Sequence, residues 1–444
     1  MFARAAFRDV TPRDRPLYLA GYSSRNSPAS TVLDPIEVSA ILLESSGSRC
    51  LIFSFDLMMV GSELQSAIRT RLKPLGFEPD QIVLLASHTH TAPATDQACK
   101  SIGLPDLRFV DDLTDATEDL VRQILDKLPS PVRLEVFQGQ LHHSINRRRY
   151  RPFPSISRMH GLRWSSTGFA PNPSGPKDER VTIVVLRKTD DDKALAAVWH
   201  YSCHPTAVAP IDAISSDYPG TVRMTLREVL GQIPCAFVQG FCGNIRPNIS
   251  PAPRRIGLRE RLIRFVRAVA FGNMFPEVSH ADWLRWSRDL AAGVRAIVAG
   301  HPTGSFVARG IRTGSANIPV DHFFEGSAPD KPLAVQIVGI GEELEIAALS
   351  AEASVEWQGI LDAAVPVPSG CIRLYSGYLG AVFGYLPTAA QVAEGGYEVE
   401  GFQLFFGLSG HFDATRICSA VVSCVKSAFE EINRSGAPSE SPRT

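Results

Sequence analysis

The chain has 444 residues, of which 44% are hydrophobic and 20% are charged, a composition typical of globular proteins with enough apolar material for a large core. Its formal net charge is −1, from 45 basic and 46 acidic residues, which gives no overall field for binding nucleic acid or an anionic membrane. The eight cysteines are scattered and contain no C-x-x-C pair, which excludes a disulfide scaffold.

The N-terminal region lacks the apolar stretch of a secretory signal. No apolar run in the sequence reaches the roughly 20 residues that a membrane-spanning helix needs. We therefore expect a cytoplasmic protein that has free thiols and no stable insertion into a membrane. The sequence does not indicate an oligomeric state.

Short runs rich in Val, Ile and Leu alternate along the chain with segments whose apolar residues recur at helical spacing. This alternation predicts an α/β fold with a β-sheet at its centre. Strands are predicted at residues 38–43, 50–55, 82–86, 181–186 and 194–200, and helices at residues 61–75, 111–128, 258–266 and 283–298.

No linker divides the chain, so residues 1–434 are predicted to form one domain. Within it, residues 251–281 are rich in arginine and apolar residues and are interpreted either as an inserted helical lid or as a plain connector. Residues 435–444 combine Ser, Pro, Gly and charged residues and are predicted to be a flexible tail.

A pair of histidines follows the predicted strand at 82–86. His88 and His90 belong to the sequence Ser-His-Thr-His-Thr-Ala-Pro, where the strand is expected to end in a loop. On an extended backbone the two side chains would point the same way, and imidazole is a common zinc ligand. Surface or packed histidines give the same short pattern, so this pair alone does not decide the matter.

A second histidine cluster follows the predicted strand at 194–200. His200 and His204 have the spacing of a helical ligand pair, but Pro205 disfavours helix at the residue before it. We therefore expect His204 at the end of a strand and His200 packed within it. Cys203 is interpreted as a buried, inert thiol rather than as a nucleophile or a soft ligand.

Three further segments carry polar residues at positions where strands are expected to end. They are a glycine-rich turn with Asn244 and Arg246, an apolar run that ends at Glu352, and the pair of motifs that contain Tyr385 and Tyr397. Each is weak alone, and a plain tight turn is the simpler interpretation of the first. Together they suggest five loops that converge at one edge of a sheet with ligands suited to zinc.

The order of these motifs resembles the catalytic N-terminal domain of the neutral ceramidases. The motifs are S-H-T-H, N-R, H-P-T, Q-G-x-x-G-[DN]-x-x-P-N, S-A-E and Y-x-P-T followed by G-G-Y-E, and the likeness extends from about Arg8 to about Phe412. The resemblance implies a single large catalytic domain with central mixed β-sheets and flanking helices. It also implies one zinc ion per chain.

The resemblance assigns the zinc ligands to His88, His204, Glu352 and Tyr385. Tyr397 lies twelve positions after Tyr385, the spacing at which the family keeps a second active-site tyrosine. Tyr378 is the alternative tyrosine ligand.

The resemblance also implies roles in catalysis. His90 would be the acid and base, Arg147 would point at the substrate carbonyl, and Tyr397 would donate to the developing oxyanion. Zinc-activated water and donors aimed at an oxyanion are what hydrolysis of an amide requires.

One residue departs from the family pattern. Arg246 stands where the ceramidases carry an active-site serine, and a fixed positive charge there would favour a substrate with a carboxylate, phosphate or other acceptor. The alternative is that Arg246 turns away and pairs with an acid such as Asp217. Arg246, Asn244 and Asp217 are therefore the candidate substrate-binding residues.

The sequence predicts a zinc-dependent hydrolase of non-peptide amides whose substrate is a soluble small molecule or an N-acyl compound. A true ceramidase is the first alternative, although neither a signal peptide nor the family's additional C-terminal domain is recognised. A metal-assisted condensation, cyclisation or rearrangement is the second. A non-catalytic binding protein is disfavoured because all proposed ligands and His90 are present.

Overall fold

The computed structural model describes residues 1–45, 47–151, 155–157, 161–163, 166–208, 210–252, 257–258, 262 and 274–435. The predicted lid at 251–281 and the predicted tail at 435–444 therefore lie largely outside the described residues. The same is true of the predicted helix at 258–266.

The strands in the described residues are rich in β-branched and aromatic residues, which suit a pleated and half-buried surface. Their bounds are β1 (Phe2–Asp9), β2 (Thr31–Val32), β3 (Glu37–Ser45), β4 (Ser48–Phe55), β5 (Ile82–Ala86), β6 (Ser130–Gln140), β7 (Ser144–Arg151), β8 (Ser155–Ser157), β9 (Gly161–Arg163), β10 (Ser166–Asn172), β11 (Arg180–Lys188), β12 (Ala194–Tyr201), β13 (Ala213–Ile214), β14 (Cys235–Gln239), β15 (Ile245–Pro247), β16 (Gly304–Phe306), β17 (Ile311–Ile318), β18 (Phe324–Ser327), β19 (Leu333–Ile340), β20 (Leu344–Leu349), β21 (Glu352–Ala353), β22 (Ile372–Ser376), β23 (Tyr385–Leu386) and β24 (Ser409–Phe412).

The helices lie between these strands and bury one apolar face each. Their bounds are α1 (Ser62–Leu72), α2 (Leu107–Leu125), α3 (Asp217–Leu230), α4 (His280–Val298), α5 (Trp357–Ala364), α6 (Ala389–Glu394), α7 (Gln403–Phe406) and α8 (Ile417–Ser435), with short 3-10 helices at Lys73–Leu75, Pro79–Gln81, Gln97–Ile102 and Val320–His322 and a π-helix at Tyr397–Gly401.

The five strands predicted from sequence are confirmed as β3, β4, β5, β11 and β12, and three of the predicted helices are confirmed as α1, α2 and α4. Helix α2 begins four residues before the apolar periodicity predicted it. The reason is Asp106, whose side chain accepts a hydrogen bond from the backbone N–H of Phe109 and so caps the helix.

The larger sheet is mixed and curls on itself. Eight of its strands follow the order β14-β12-β11-β6-β1-β3-β4-β5, and β16 pairs with β6. The β4–β5 and β12–β14 pairs at its two ends are parallel, whereas the pairs between them are antiparallel. Ser54 of β4 hydrogen-bonds both to the backbone carbonyl and to the N–H of Phe237 on β14 at 3.0 Å, so strands from opposite ends of the path meet.

A second sheet, of order β17-β19-β20-β22, closes the open side of this curl. Apolar residues of both sheets, such as Val83, Val238 and Ile346, form one continuous core cluster. The opposite face of the larger sheet packs on α2 at one end and on α3 and α4 at the other. The predicted α/β class with central mixed sheets and flanking helices is confirmed.

The segment after β22 ties the two sheets together. The N–H of Gly380 donates to the carbonyl of Leu84 on β5, and the N–H of Leu379 donates to the carbonyl of Leu349 on β20. This places the ends of β5 and β20 side by side. Within the described residues, no helix is both long and apolar enough to cross a membrane.

Candidate metal centre

His88 and His90 lie in the loop directly after β5, as predicted, but the backbone there is not extended. His88 has a positive φ of 66°, so the expected alternation of an extended chain does not orient the pair. The two side chains nevertheless meet, with 3.1 Å between their Nε2 atoms. His88 is fully buried, and its Nδ1 lies 2.8 Å from the carbonyl oxygen of Met58.

His204 follows the end of β12, which confirms that it does not form a helical pair with His200. Its Nδ1 lies 2.6 Å from the carbonyl oxygen of Cys242 and 3.0 Å from that of Ile245. His200 is buried within the strand, and its Nε2 lies 2.9 Å from the carbonyl of Tyr375, as expected for a packing residue. Burial raises the pKa of the Cys203 thiol well above its usual value, which agrees with an inert cysteine.

Glu352 is supplied by the second sheet, at the point where β20 gives way to β21. It is 1% exposed, and its Oε2 lies 3.3 Å from the Nε2 atoms of both His88 and His204. Tyr385 is its direct neighbour across the parallel β21–β23 pair. The loops therefore converge from two sheets, and the expectation that one sheet edge carries all of them was wrong.

Three acceptor atoms face one another at this point. A backbone carbonyl holds the Nδ1 of each of His88 and His204, which places the ring proton on Nδ1 and leaves a lone pair on Nε2. Neither the Nε2 of His204 nor the Oε2 of Glu352 has a hydrogen-bond partner, although both are buried. Unpaired buried acceptors that converge in this way fit a cation, and imidazole nitrogen with carboxylate oxygen is a zinc-type donor set.

His90 belongs to the same group. The ligand atoms of His88, His90 and His204 all lie within 4.8 Å of one another. The Nδ1 of His90, unlike that of the other two histidines, is buried without a partner. Its ring has room because residue 21 is glycine, where a Cβ atom would lie 2.4 Å from this Nδ1.

Burial lowers the pKa of two of these histidines, His204 and His90. It lowers the pKa of His204 to about 4, and the charge of Arg147 acts in the same direction. Burial, followed by the charges of His88 and His204, also lowers the pKa of His90 well below its usual value. Burial works to raise the pKa of Glu352, but His88 and His204 outweigh it and hold that pKa well below its usual range.

Arg147 reaches the centre from β7. One of its terminal nitrogens donates to the carbonyl of Gly243 at 2.7 Å and to the Tyr385 hydroxyl at 3.0 Å. Its Nε donates to Glu398 at 2.9 Å, and Arg148 donates to the other oxygen of the same carboxylate at 2.8 Å. Glu398 therefore holds both arginines in place. Arg147 can act as a rigid cation beside Tyr385.

The two other tyrosines occupy different positions. The ring of Tyr397 packs against that of Tyr385 with 5.6 Å between centroids, and burial, followed by the charge of Glu352, raises its pKa to about 12. Tyr378 stacks on the His88 ring at 3.9 Å, while its hydroxyl lies 3.2 Å from the Sγ of Cys242. Tyr378 thus braces His88 with its ring and directs its hydroxyl to a cysteine.

Arg246 extends from β15 toward two aromatic rings. Its guanidinium carbon lies 4.1 Å from the ring centroid of Phe275 and 5.7 Å from that of Phe169. The alternative ion pair with Asp217 is not formed, because that carboxylate accepts hydrogen bonds from Trp283 and from the backbone of Ala207. Burial lowers the pKa of Arg246 to about 10, so the side chain stays charged at neutral pH.

Asn244 and Asp217, predicted to contact the substrate, use their polar atoms on the protein itself. The Asn244 amide nitrogen donates to both oxygens of Glu356, and its oxygen accepts from the N–H of Val355. The glycine-rich turn around it packs closely on β21, where the N–H of Gly243 donates to the carbonyl of Ala353. It is a tight turn that positions the loop.

Two solved structures share this architecture along the whole chain. A neutral ceramidase from Pseudomonas aeruginosa superposes with a TM-score of 0.73 and 16% sequence identity, over 100% of this chain and 76% of that one. A ceramidase structure described as complexed with C2 gives a TM-score of 0.72 and 16% identity, over 100% of this chain and 77% of that one. The chain has the neutral ceramidase fold. No protein-family model and no curated protein matches it.

On this ceramidase fold, sequence reasoning missed several residues that shape the centre. Glu398 was part of a recognised motif but received no role, because a sequence does not distinguish a buried carboxylate from an exposed one. Gly21 and Tyr22 come from a region without any motif, yet the Tyr22 ring lies 5.1 Å from that of His90. Phe169 was missed because an aromatic residue in a strand usually indicates packing.

Proposed function

We propose that this protein is a zinc-dependent hydrolase of a linear, non-peptide amide. The observation that carries the proposal is the convergence of unpaired acceptors: the Oε2 of Glu352 lies 3.3 Å from the Nε2 atoms of both His88 and His204. A buried arginine and two tyrosines flank these atoms. Cation ligands next to a fixed positive charge are the elements that carbonyl hydrolysis needs.

His88, His204, Glu352 and Tyr385 are the proposed zinc ligands. Metal-binding histidines usually donate their second ring nitrogen to a carbonyl or a carboxylate. His88 and His204 have such anchors, whereas His90 has none. This difference supports two histidine ligands and leaves the third histidine free for proton transfer.

Zinc in such a site lowers the pKa of water and polarises a carbonyl group. His90 is neutral and faces the ligands, so it can accept a proton from the attacking water and return it to the leaving amine. Arg147, held by Glu398, places positive charge where the carbonyl oxygen becomes negative. Tyr397 keeps its proton because its pKa is about 12, and it serves as a hydrogen-bond donor to the same oxygen.

The proposed substrate is a soluble small molecule or an N-acyl compound. True ceramidase activity is the second candidate, and the observation that favours it is the fold shared with neutral ceramidases. A charged guanidinium at Arg246 opposes it, because ceramide has no group that neutralises a partly buried cation.

The proposal is tested with the purified full-length chain. We expect about one zinc ion per chain by elemental mass spectrometry, loss of amidase activity on chelation, and recovery when zinc is added back. His88→Ala should remove both metal and activity, while Arg122→Gln on the surface of α2 is the matched control. Hydrolysis in labelled water should place the label in the acid product. A metal-free wild-type protein with undiminished activity contradicts the proposal.

A further inference from the structure

We infer that the substrate carries a carboxylate and that Arg246 binds it beside the scissile amide. This inference rests on the proposed function and narrows its substrate class. It disfavours a neutral lipid amide as the substrate, because such a molecule offers no partner for a fixed cation at this position.

Arg246 is adjacent in sequence to Ile245, a residue that holds His204 in place. The carbonyl oxygen of Ile245, its neighbour in β15, is 3.0 Å from the Nδ1 of His204. The guanidinium of Arg246 also shares an aromatic ring with the catalytic arginine. The ring centroid of Phe169 lies 4.9 Å from the guanidinium carbon of Arg147 and 5.7 Å from that of Arg246. The two cations therefore lie against the same aromatic ring.

Within the part of the chain that the structure describes, Arg246 lacks a counter-charge. Among the described residues it forms neither an ion pair nor a hydrogen bond to an acceptor, and its Nε is buried without a partner. Asp217 is occupied by Trp283 and backbone N–H groups, and Glu398 is shared by Arg147 and Arg148. A partly buried guanidinium without an acceptor is costly. One unbalanced positive charge with a planar fork of donors matches one carboxylate.

The aromatic residues around Arg246 indicate what the rest of the substrate is like. Phe275 and Phe169 pack against the guanidinium, and Phe169 remains 43% exposed although it lies against both arginines. An apolar portion of the substrate next to its carboxylate would cover this ring. An N-acylated amino acid combines an amide, a carboxylate close to it and an apolar acyl chain in one molecule.

Two amides that differ only in charge provide the test. N-octanoylglycine carries a carboxylate where N-octanoylethanolamine carries a neutral hydroxymethyl group. We expect the zinc-loaded wild type to hydrolyse the glycine conjugate with a kcat/KM about 10- to 100-fold higher, the range expected for charge-assisted hydrogen bonds. Arg246→Gln should bring this ratio close to one, Arg246→Lys should give an intermediate ratio, and Arg122→Gln should keep the wild-type ratio.

Calorimetric binding of N-octanoylglycine separates this inference from the proposed function. A carboxylate also binds zinc directly, so the comparison of wild type with Arg246→Gln isolates the arginine. Turnover of the ethanolamide at a rate equal to or above that of the glycine conjugate overturns the inference and leaves the amidase proposal intact. Tight binding that depends on Arg246, without turnover of either amide, overturns the amidase and retains the carboxylate site. Equal binding to both proteins, or binding to neither, overturns the inference.

Discussion

Two of the buried clusters of polar side chains in the described residues differ in how acceptors and donors face each other. One is the candidate metal centre, formed by His88, His204 and Glu352. The other, here called the arginine–carboxylate cluster, consists of Glu37, Asp56, Arg223 and Arg227 and lies between β3 and α3. All seven side chains are buried, so burial does not distinguish a structural cluster from a functional one.

In the arginine–carboxylate cluster every carboxylate meets a donor. Arg227 donates to both oxygens of Glu37 at 2.8 Å, and Arg223 donates to Asp56 at 2.7 Å. Two positive and two negative charges cancel, and the Nε of Arg223, which has no hydrogen-bond partner, lies 3.4 Å from Glu37. In the candidate metal centre acceptors face acceptors, an arrangement that an added cation would satisfy. The comparison indicates that unpaired acceptors converging on one point, rather than buried charge, favour a cation site.

The largest expected effect comes from removing an acceptor of the metal centre. His204→Ala should lower kcat/KM by at least about 10³-fold, because several kcal/mol of transition-state stabilisation depend on the cation. Bound zinc, measured by elemental analysis, should fall with the activity. Full activity with retained zinc would falsify the ligand assignment.

Removing a donor from the arginine–carboxylate cluster should act on stability instead. Arg227→Met leaves Glu37 buried without its partner, which should lower the free energy of unfolding by about 3–5 kcal/mol. Urea denaturation measures the loss, and the zinc content of the folded fraction should stay at the wild-type level. A variant that loses zinc while its unfolding free energy is unchanged would erase the distinction between the two clusters.

A smaller effect on activity is expected at Glu398, a paired carboxylate that holds Arg147 beside the candidate metal centre. Glu398→Gln keeps the shape but removes the charge that holds Arg147 and Arg148, so we expect kcat to fall about 10- to 100-fold. Zinc binding should persist, because Glu398 contacts none of the proposed ligands in the hydrogen bonds described for it. Steady-state kinetics on the zinc-loaded variant provide the measurement, and an unchanged kcat argues against a positioning role.

The smallest effect separates the two candidate tyrosine ligands. Tyr378→Phe preserves the ring that stacks on His88 and loses only the contact of its hydroxyl with Cys242, so activity should change by no more than about threefold. Tyr385→Phe removes a proposed ligand and should weaken zinc affinity about 10- to 100-fold. Zinc titration of both variants decides the assignment, which is reversed if Tyr378→Phe shows the larger loss.

Much of this arrangement could be predicted from local sequence patterns. Apolar runs set the strands before His88 and His204, and Pro205 excluded a helical pair, because both signals act over a few residues. The curl of the larger sheet could not be predicted in this way, since it depends on contacts such as that of Ser54 with Phe237 across nearly two hundred residues. The environment of Arg246 depends on Phe169, 77 residues before it, and on Phe275, 29 residues after it.

The curl has a consequence for how the protein matures. His88 and His204 follow strands from opposite halves of the larger sheet, Glu352 follows the second sheet, and Tyr385 lies near the C-terminal end of the chain. A nascent chain therefore holds only part of the proposed donor set until Tyr385 has been synthesised. We expect the proposed ion to bind last, after the sheets have closed, so that binding depends on completed folding and does not initiate it.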